Sequence, residues 1–178
     1  ILASTSRYRA ELLGRLRIPF DVRAPQVDET ALPGESPDAL ARRLALAKAR
    51  AVAGQLSEGL VIGSDQVAHC DGRILGKPGG FAAAMDQLRH MRGKTTEFAT
   101  ALALVNAATG HAQVDLVPTH VTLRDAGDAE IEAYLRADEP YDCAGSARSE
   151  GLGVTLMERM AGDDPTALVG LPLIALCR

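Results

Sequence analysis

Three polar side chains, Ser64, Asp65 and Gln66, follow Gly63 in the middle of otherwise apolar sequence. Leu60, Val61 and Ile62 lead into them as a buried strand, and Val67-Ala68 restores the apolar pattern. A carboxylate near the end of a buried strand is costly unless a cation, a metal or a donor faces it. Lys77 lies one hairpin away and can return to the same rim. The residues fit equally a buried aspartate that satisfies backbone donors beside a surface lysine, so the choice rests on the rest of the chain. A second cluster is Ser4-Thr5-Ser6 with Arg7 and Arg9. A strand-to-helix elbow exposes backbone N–H groups at the positive end of the helix dipole, which suits a phosphate. Cations in a first helical turn oppose that dipole, and a bound anion would relieve the conflict. A plain Ser N-cap with two solvated arginines is the alternative. Lys48 ends an apolar row begun by Leu40 and Leu44, where it either snorkels to solvent or reaches into a pocket. Asp28-Glu29 in a loop, and the Gly/Ser-rich stretch Asp142–Gly151 with Glu150, complete the set.

The elements that must position these groups follow from local pattern. Ile1–Ala3 reads as a strand, and a helix runs from Arg7 to about Leu16 with Leu12, Leu13 and Leu16 on one face. Phe20–Ala24 alternates as a strand, and Pro25–Pro33 is a loop. Ser36 with Pro37 starts a helix that runs to about Ala53 and stops at Gly54. Asp71-Gly72 turns the central strand into Arg73–Leu75. A helix over Phe81–Arg92 buries Met85, Leu88 and Met91. Thr95–Asn106 and His111–Arg124 are antiparallel strands, the second interrupted by Pro118, which predicts an edge or a bulge. Asp128 opens a helix to about Arg136. Leu152–Met157 is expected as a strand and Thr166–Cys177 as a final apolar segment.

Composition narrows the classes. A chain of 178 residues makes one domain, or two small lobes sharing one core, and needs no metal or disulfide to fold. A net charge of −4 argues against general nucleic-acid or anionic-membrane binding, while leaving room for a local basic pocket. Aromatic content of 3% without Trp gives few platforms for stacking bases of a nucleic acid. Cys70, Cys143 and Cys177 are odd in number and lack CxxC spacing, which predicts free thiols in a reducing, cytoplasmic setting. No apolar run approaches a membrane span. His69, His90, His111 and His120 show no metal-ligand spacing and read as structural or exposed.

Four stretches occur in order: LASTSRYRAELL; VDETALPGESP with RLALAKA; IGSDQV with LGKP; and CAGSARSEGLG with DDPTALVGLPL. Together they resemble the Maf family of nucleoside triphosphate pyrophosphatases, also named septum formation inhibitors, over nearly the whole chain. The variants GSDQ and SEGLG resemble its subgroup acting on 7-methyl-GTP. The resemblance implies that Ser6 and Arg9 hold phosphates, that Glu29, Lys48 and Lys77 line the triphosphate site, and that Asp65 accepts a proton. It places Tyr8, Gln66 and Glu150 at base-selecting positions, and it implies a homodimer. Arg7 stands where the family usually has Pro, and Ala10 where it has a second Arg, so one expected phosphate contact is missing.

The chemistry of these residues agrees with that resemblance. Splitting a triphosphate needs charge neutralisation and an in-line water. Arg9, Lys48 and Lys77 supply cations, while Asp65 and Glu29 can hold Mg²⁺ or Mn²⁺. Metal ligand and base compete as roles for Asp65. The expected fold is α/β: a single domain over 1–178, with a long twisted mixed sheet flanked by helices and a nucleotide cleft between two lobes. The expected activity is hydrolysis of 7-methyl-GTP to 7-methyl-GMP and pyrophosphate, a house-cleaning of modified nucleotides. Broader triphosphate hydrolysis and a non-catalytic nucleotide-binding regulator of cell division are the alternatives.

Overall fold

The computed structural model describes residues Ile1–Arg178. It is an α/β fold on a mixed, open seven-stranded sheet of order β2-β1-β3-β5-β6-β7, with β4 paired to β3. The strands are β1 (Leu2–Ala3), β2 (Val22–Arg23), β3 (Leu60–Cys70), β4 (Arg73–Leu75), β5 (Thr95–Asn106), β6 (Ala112–Leu123) and β7 (Met157–Gly162). The helices are α1 (Arg7–Gly14), α2 (Pro37–Ala53), α3 (Phe81–Met91), α4 (Asp128–Asp138) and α5 (Leu173–Leu176). No helix is long and apolar enough to cross a membrane. The chain divides into two compact units. One comprises Ile1–Gln66, Ala99–Val117 and Asp164–Arg178; the other comprises Val67–Phe98 and Pro118–Asp163.

In the first unit β1 lies parallel to both β2 and β3, with Leu2 opposite Val22 and Ile62. Leu2, Leu12, Leu13, Ile62, Leu102, Leu171 and Leu173 form its apolar core. Each fully buried leucine there is worth about 1.5–3 kcal/mol over an exposed one. Helix α2 starts as expected: the Ser36 hydroxyl accepts from the Ala39 N–H at 3.3 Å, and Pro37 occupies the first turn. Leu40, Ala41, Leu44, Ala45, Lys48, Ala49 and Val52 lie on its buried face. That face sits directly on Gly63 of β3, where a Cβ would fall 2.2 Å from the Ala45 carbonyl oxygen.

In the second unit Asp71 and Gly72 both adopt positive φ, 51° and 78°, the backbone of a two-residue hairpin turn. Cys70 pairs with Arg73 and Ala68 with Leu75. Ala84, Met85, Leu88 and Met91 of α3, and Ile131, Tyr134 and Leu135 of α4, are buried.

Several expectations need correction. Helix α1 ends at Gly14, two residues early, because the N–H groups of Arg15 and Leu16 turn to carbonyls three residues back. The strand expected over Phe20–Ala24 shrinks to Val22–Arg23, both exposed. Leu152–Leu156 is a 3₁₀ turn, not a strand: Val154 N–H reaches back to Gly151 and the Thr155 hydroxyl to Leu152, and the strand begins at Met157. The expectation at Pro118 holds, because the residue lies on an open edge. β6 pairs with β7 from Thr119 onward, so only its earlier half is open on that side, and the register shift falls at Thr122/Leu123. The 166–177 segment is mostly turn, with only Leu173–Leu176 helical.

Candidate active site

Asp65 lies in the interior of β3, not at a strand end, and is 7% exposed. The cation that faces it is Lys48, itself 6% exposed. Lys48 Nζ lies 2.6 Å from Asp65 Oδ1 and 2.6 Å from Glu29 Oε1, so one ammonium holds two carboxylates. The geometry decides the role of the row Leu40–Leu44–Lys48: the lysine reaches inward. The close approach of α2 to Gly63 makes this reach short.

Burial is the largest influence on Asp65 and raises its pKa above the ordinary carboxylate value; Lys48 and Arg9 pull it back and Glu29 adds to the rise. Arg9 is lowered by burial, while Asp65 and Glu29 push it up again. Two cations and two carboxylates therefore share one neighbourhood, and their formal charges cancel.

Glu29 is carried by a loop that Arg43 of α2 ties down. Arg43 Nε and Nη2 donate to the two oxygens of Glu35 at 2.7 and 2.8 Å, and Nη2 also donates to the Thr30 carbonyl at 3.0 Å. The Leu32 N–H donates to Glu35 as well, at 3.0 Å. These bonds pull the Glu35 pKa down to about 2, Arg43 having the largest effect. A depressed carboxylate stabilises the fold above its unfolded value of 4.5 and loses that contribution as pH falls toward about 2. Glu35→Gln should thus melt below wild type at pH 6, with the gap closing as both proteins are taken down to pH about 2. A gap that stays constant across that range in a thermal melt would contradict the clamp.

At the elbow, Ser6 is the N-cap of α1 and its hydroxyl accepts from the Arg9 N–H at 3.4 Å. Arg9 Nε donates to the Gly170 carbonyl at 2.8 Å, and the buried Ser64 hydroxyl lies 2.9 Å from the same oxygen. Gln66 points to the face opposite Asp65, as neighbours on a strand must. Its Nε2 lies 2.9 Å from Thr100 Oγ1 and from the Leu168 carbonyl, and 3.1 Å from the Ala167 carbonyl. With its donors spent there, Gln66 has only Oε1 to offer a ligand. Arg7 lies over the Tyr8 ring, 4.8 Å from its centre, and Nη2 donates to the phenol oxygen at 2.8 Å. An exposed contact of this kind is worth about 0.5–1 kcal/mol, small enough for a ligand to displace.

The sequence reading gave no role to Asp164, Thr166 or Gly170, although all three lie in a stretch it singled out. Asp164 is 3% exposed and accepts from the Thr166 N–H and hydroxyl and from the Ile174 N–H, at 2.6–2.9 Å. This buried carboxylate folds the loop that offers Gly170 to Arg9. Its Asp-Pro-Thr spelling, with the side chain turned on the residue two ahead, was the available signal.

Lys77 and Glu150 belong to the second unit. Lys77 is exposed in the loop after β4. Glu150 is exposed, and its carboxylate accepts from the Ser149 hydroxyl at 3.1 Å. The three cysteines are free thiols. His69 and His120 both face Glu97, at 3.4 and 3.1 Å.

The full sequence, residues 1–178, matches the family described as Maf-like protein. It is 62% identical over 178 residues to a 7-methyl-GTP pyrophosphatase of Albidiferax ferrireducens, covering all of this chain and 89% of that one. A protein of the same name from a Polaromonas species is 60% identical over 178 residues, covering all of this chain and 81% of its own. A third, from Aromatoleum aromaticum, is 57% identical, covering all of this chain and 92% of its own. A match of this extent, on a chain whose central strand carries Asp65 against Lys48, makes the conclusion plain: the chain belongs to the Maf-like protein family.

Proposed function

We propose that this protein is a nucleoside triphosphate pyrophosphatase that hydrolyses 7-methyl-GTP to 7-methyl-GMP and pyrophosphate, with residues 1–178 as one catalytic domain. The observation that carries the reading is the buried Lys48–Asp65 pair, with exposed Glu29 on the same ammonium, in a chain about 60% identical to proteins of that name. Asp65 takes the proton of the attacking water. Its raised pKa suits a base, because an acceptor nearer neutrality has more driving force. Lys48 keeps the carboxylate from paying the full cost of burial and stands ready to face phosphate oxygens. Ser6 and Arg9 receive phosphates at the elbow, and Lys77 adds a cation.

The charges of Arg9, Lys48, Glu29 and Asp65 cancel, so a triphosphate beside these four meets no net counter-charge without help. Asp65 and Glu29 each engage Lys48 through one oxygen and have a second oxygen with no hydrogen bond, a donor set that fits a hard divalent ion. Asp65 and Glu29 would hold Mg²⁺ or Mn²⁺, which supplies positive charge to the phosphates. The protein is further taken to act in the cytoplasm as a homodimer, following the family resemblance.

Base choice rests on Glu150, Tyr8 and Gln66, the last offering Oε1 because its donors are spent on Thr100, Ala167 and Leu168. Guanine offers two donors on its Watson–Crick edge, N1–H and the 2-amino group, and a carboxylate accepts both. Methylation at N7 makes the ring cationic, which a carboxylate and an aromatic face both favour. Uracil presents acceptors that a carboxylate repels. Glu150→Gln should lower kcat/KM for 7-methyl-GTP by about 10–100-fold and leave UTP nearly unchanged. Equal losses on 7-methyl-GTP, GTP and UTP would mean that Glu150 shapes the site without reading the base.

A further inference from the structure

Gln87 is a polar side chain 7% exposed on the buried face of α3, among Ala84, Leu88 and Met91. Buried amides need partners at both ends, and Gln87 has them. Its Nε2 donates to the Gly76 carbonyl at 2.9 Å, and its Oε1 accepts from the Ser146 hydroxyl at 2.6 Å. A carbonyl can only accept, so Gly76 fixes which end of the amide faces it. That in turn makes the Ser146 hydroxyl a donor. Gly76 immediately precedes Lys77, and Ser146 closes the 3₁₀ turn Ala144–Ser146, four residues before Glu150. Ser146 is fully buried and held at φ 56°, a backbone that only a well-determined surrounding maintains in a residue with a side chain. Tyr134 Oη donates to the Ser146 carbonyl at 3.2 Å, and the Gly79 N–H donates to the Tyr141 carbonyl at 3.0 Å, a second tie between the same two loops.

We propose that Gln87 is a positioning residue that couples the loop carrying Lys77 to the loop carrying Glu150, so that engagement of the base at Glu150 is felt in the placement of Lys77. The inference rests on the roles given above to Lys77 and Glu150. It explains why an apolar helix face carries an amide: Leu or Met there would fill the space and leave the two loops joined only through Gly79 and Tyr141. The coupling makes catalysis on a correctly read base faster, and not only its binding tighter.

Two variants separate coupling from mere support. Gln87→Glu keeps the acceptor toward Ser146 and sets a carboxylate oxygen against the Gly76 carbonyl, which cuts the tie on the lysine side. Ser146→Gly removes the hydroxyl and suits the positive φ, which cuts the tie on the other side. In Gln87→Glu the ratio of kcat/KM for 7-methyl-GTP over UTP should shrink about 10-fold, mainly through kcat on 7-methyl-GTP. Added to Glu150→Gln, which already removes the base contact, Gln87→Glu should shrink the ratio no further. Loss of both substrates by one common factor, at unchanged ratio, overturns the proposal. Hydrogen exchange on substrate-free protein gives the independent measurement. Ser146→Gly should speed exchange about 10-fold at the Gly79 amide as well as within residues 144–151. Faster exchange confined to 144–151 overturns the coupling. If wild type releases no pyrophosphate from 7-methyl-GTP, the functional reading falls, and the exchange result still decides the coupling.

Discussion

Asp65→Asn is expected to fold and to lose about 10²–10⁴-fold in kcat, the usual worth of a positioned acid–base group. Asparagine has the shape of aspartate, and its Oδ1 can still accept from the Lys48 ammonium that now lies 2.6 Å away. Lys48 also keeps Glu29, at 2.6 Å, so the change strands no cation in the interior. What disappears is a carboxylate whose proton affinity burial has raised. Because the folded pKa lies above the unfolded one, ionised Asp65 costs the fold stability as pH rises through that folded value, and the amide removes this cost. Loss of activity with the melting temperature preserved is therefore the signature of a base. The check is kcat at saturating Mg²⁺ alongside a thermal melt. Near-normal turnover would make Asp65 a structural residue that neutralises Lys48.

Gly63→Ala should damage the fold and the site together. The new methyl would lie 2.2 Å from the Ala45 carbonyl oxygen, 2.8 Å from the Ala49 nitrogen and 3.0 Å from the Ala49 Cβ. The first two are helix backbone and cannot rotate away, so α2 as a whole must move off β3. Overpacking of this sort costs about 3 kcal/mol, a fall of about 6–12 °C in the melting temperature for a chain of this size. Ala45 and Ala49 flank Lys48 on the same helical turn, so the shift also draws the ammonium from Asp65. The surviving folded protein should be slower as well as less stable. A melting temperature within 1–2 °C of wild type would show that α2 is not pinned at Gly63.

The parts of the fold legible in sequence are those fixed by near neighbours. Ser36-Pro37 set the start of α2 and Gly54 its end, and Asp71-Gly72 set the hairpin turn. The i,i+4 row ending in Lys48 marked a lysine on an apolar face, though only the approach of β3 shows which way it points. What escaped is what depends on distant partners. Gln66 reads as a free amide until Ala167 and Leu168 arrive from about a hundred residues away and take its donors. Arg9 reads as a phosphate ligand alone until Gly170, 161 residues on, takes its Nε. Residues 152–156 carry the apolar pattern of a strand, but local bonds from Val154 and Thr155 close them into a turn first. The family resemblance named Asp65, Lys48 and Glu29; the structure adds that the buried Lys48 ammonium joins the other two.

The most direct test is the fate of the phosphates when the wild-type protein meets 7-methyl-GTP with Mg²⁺, in the absence of any inorganic pyrophosphatase. The account predicts 7-methyl-GMP and pyrophosphate in equal amounts, with a kcat/KM above that for GTP and further above that for UTP. Release of orthophosphate with 7-methyl-GDP, and no pyrophosphate, would contradict it.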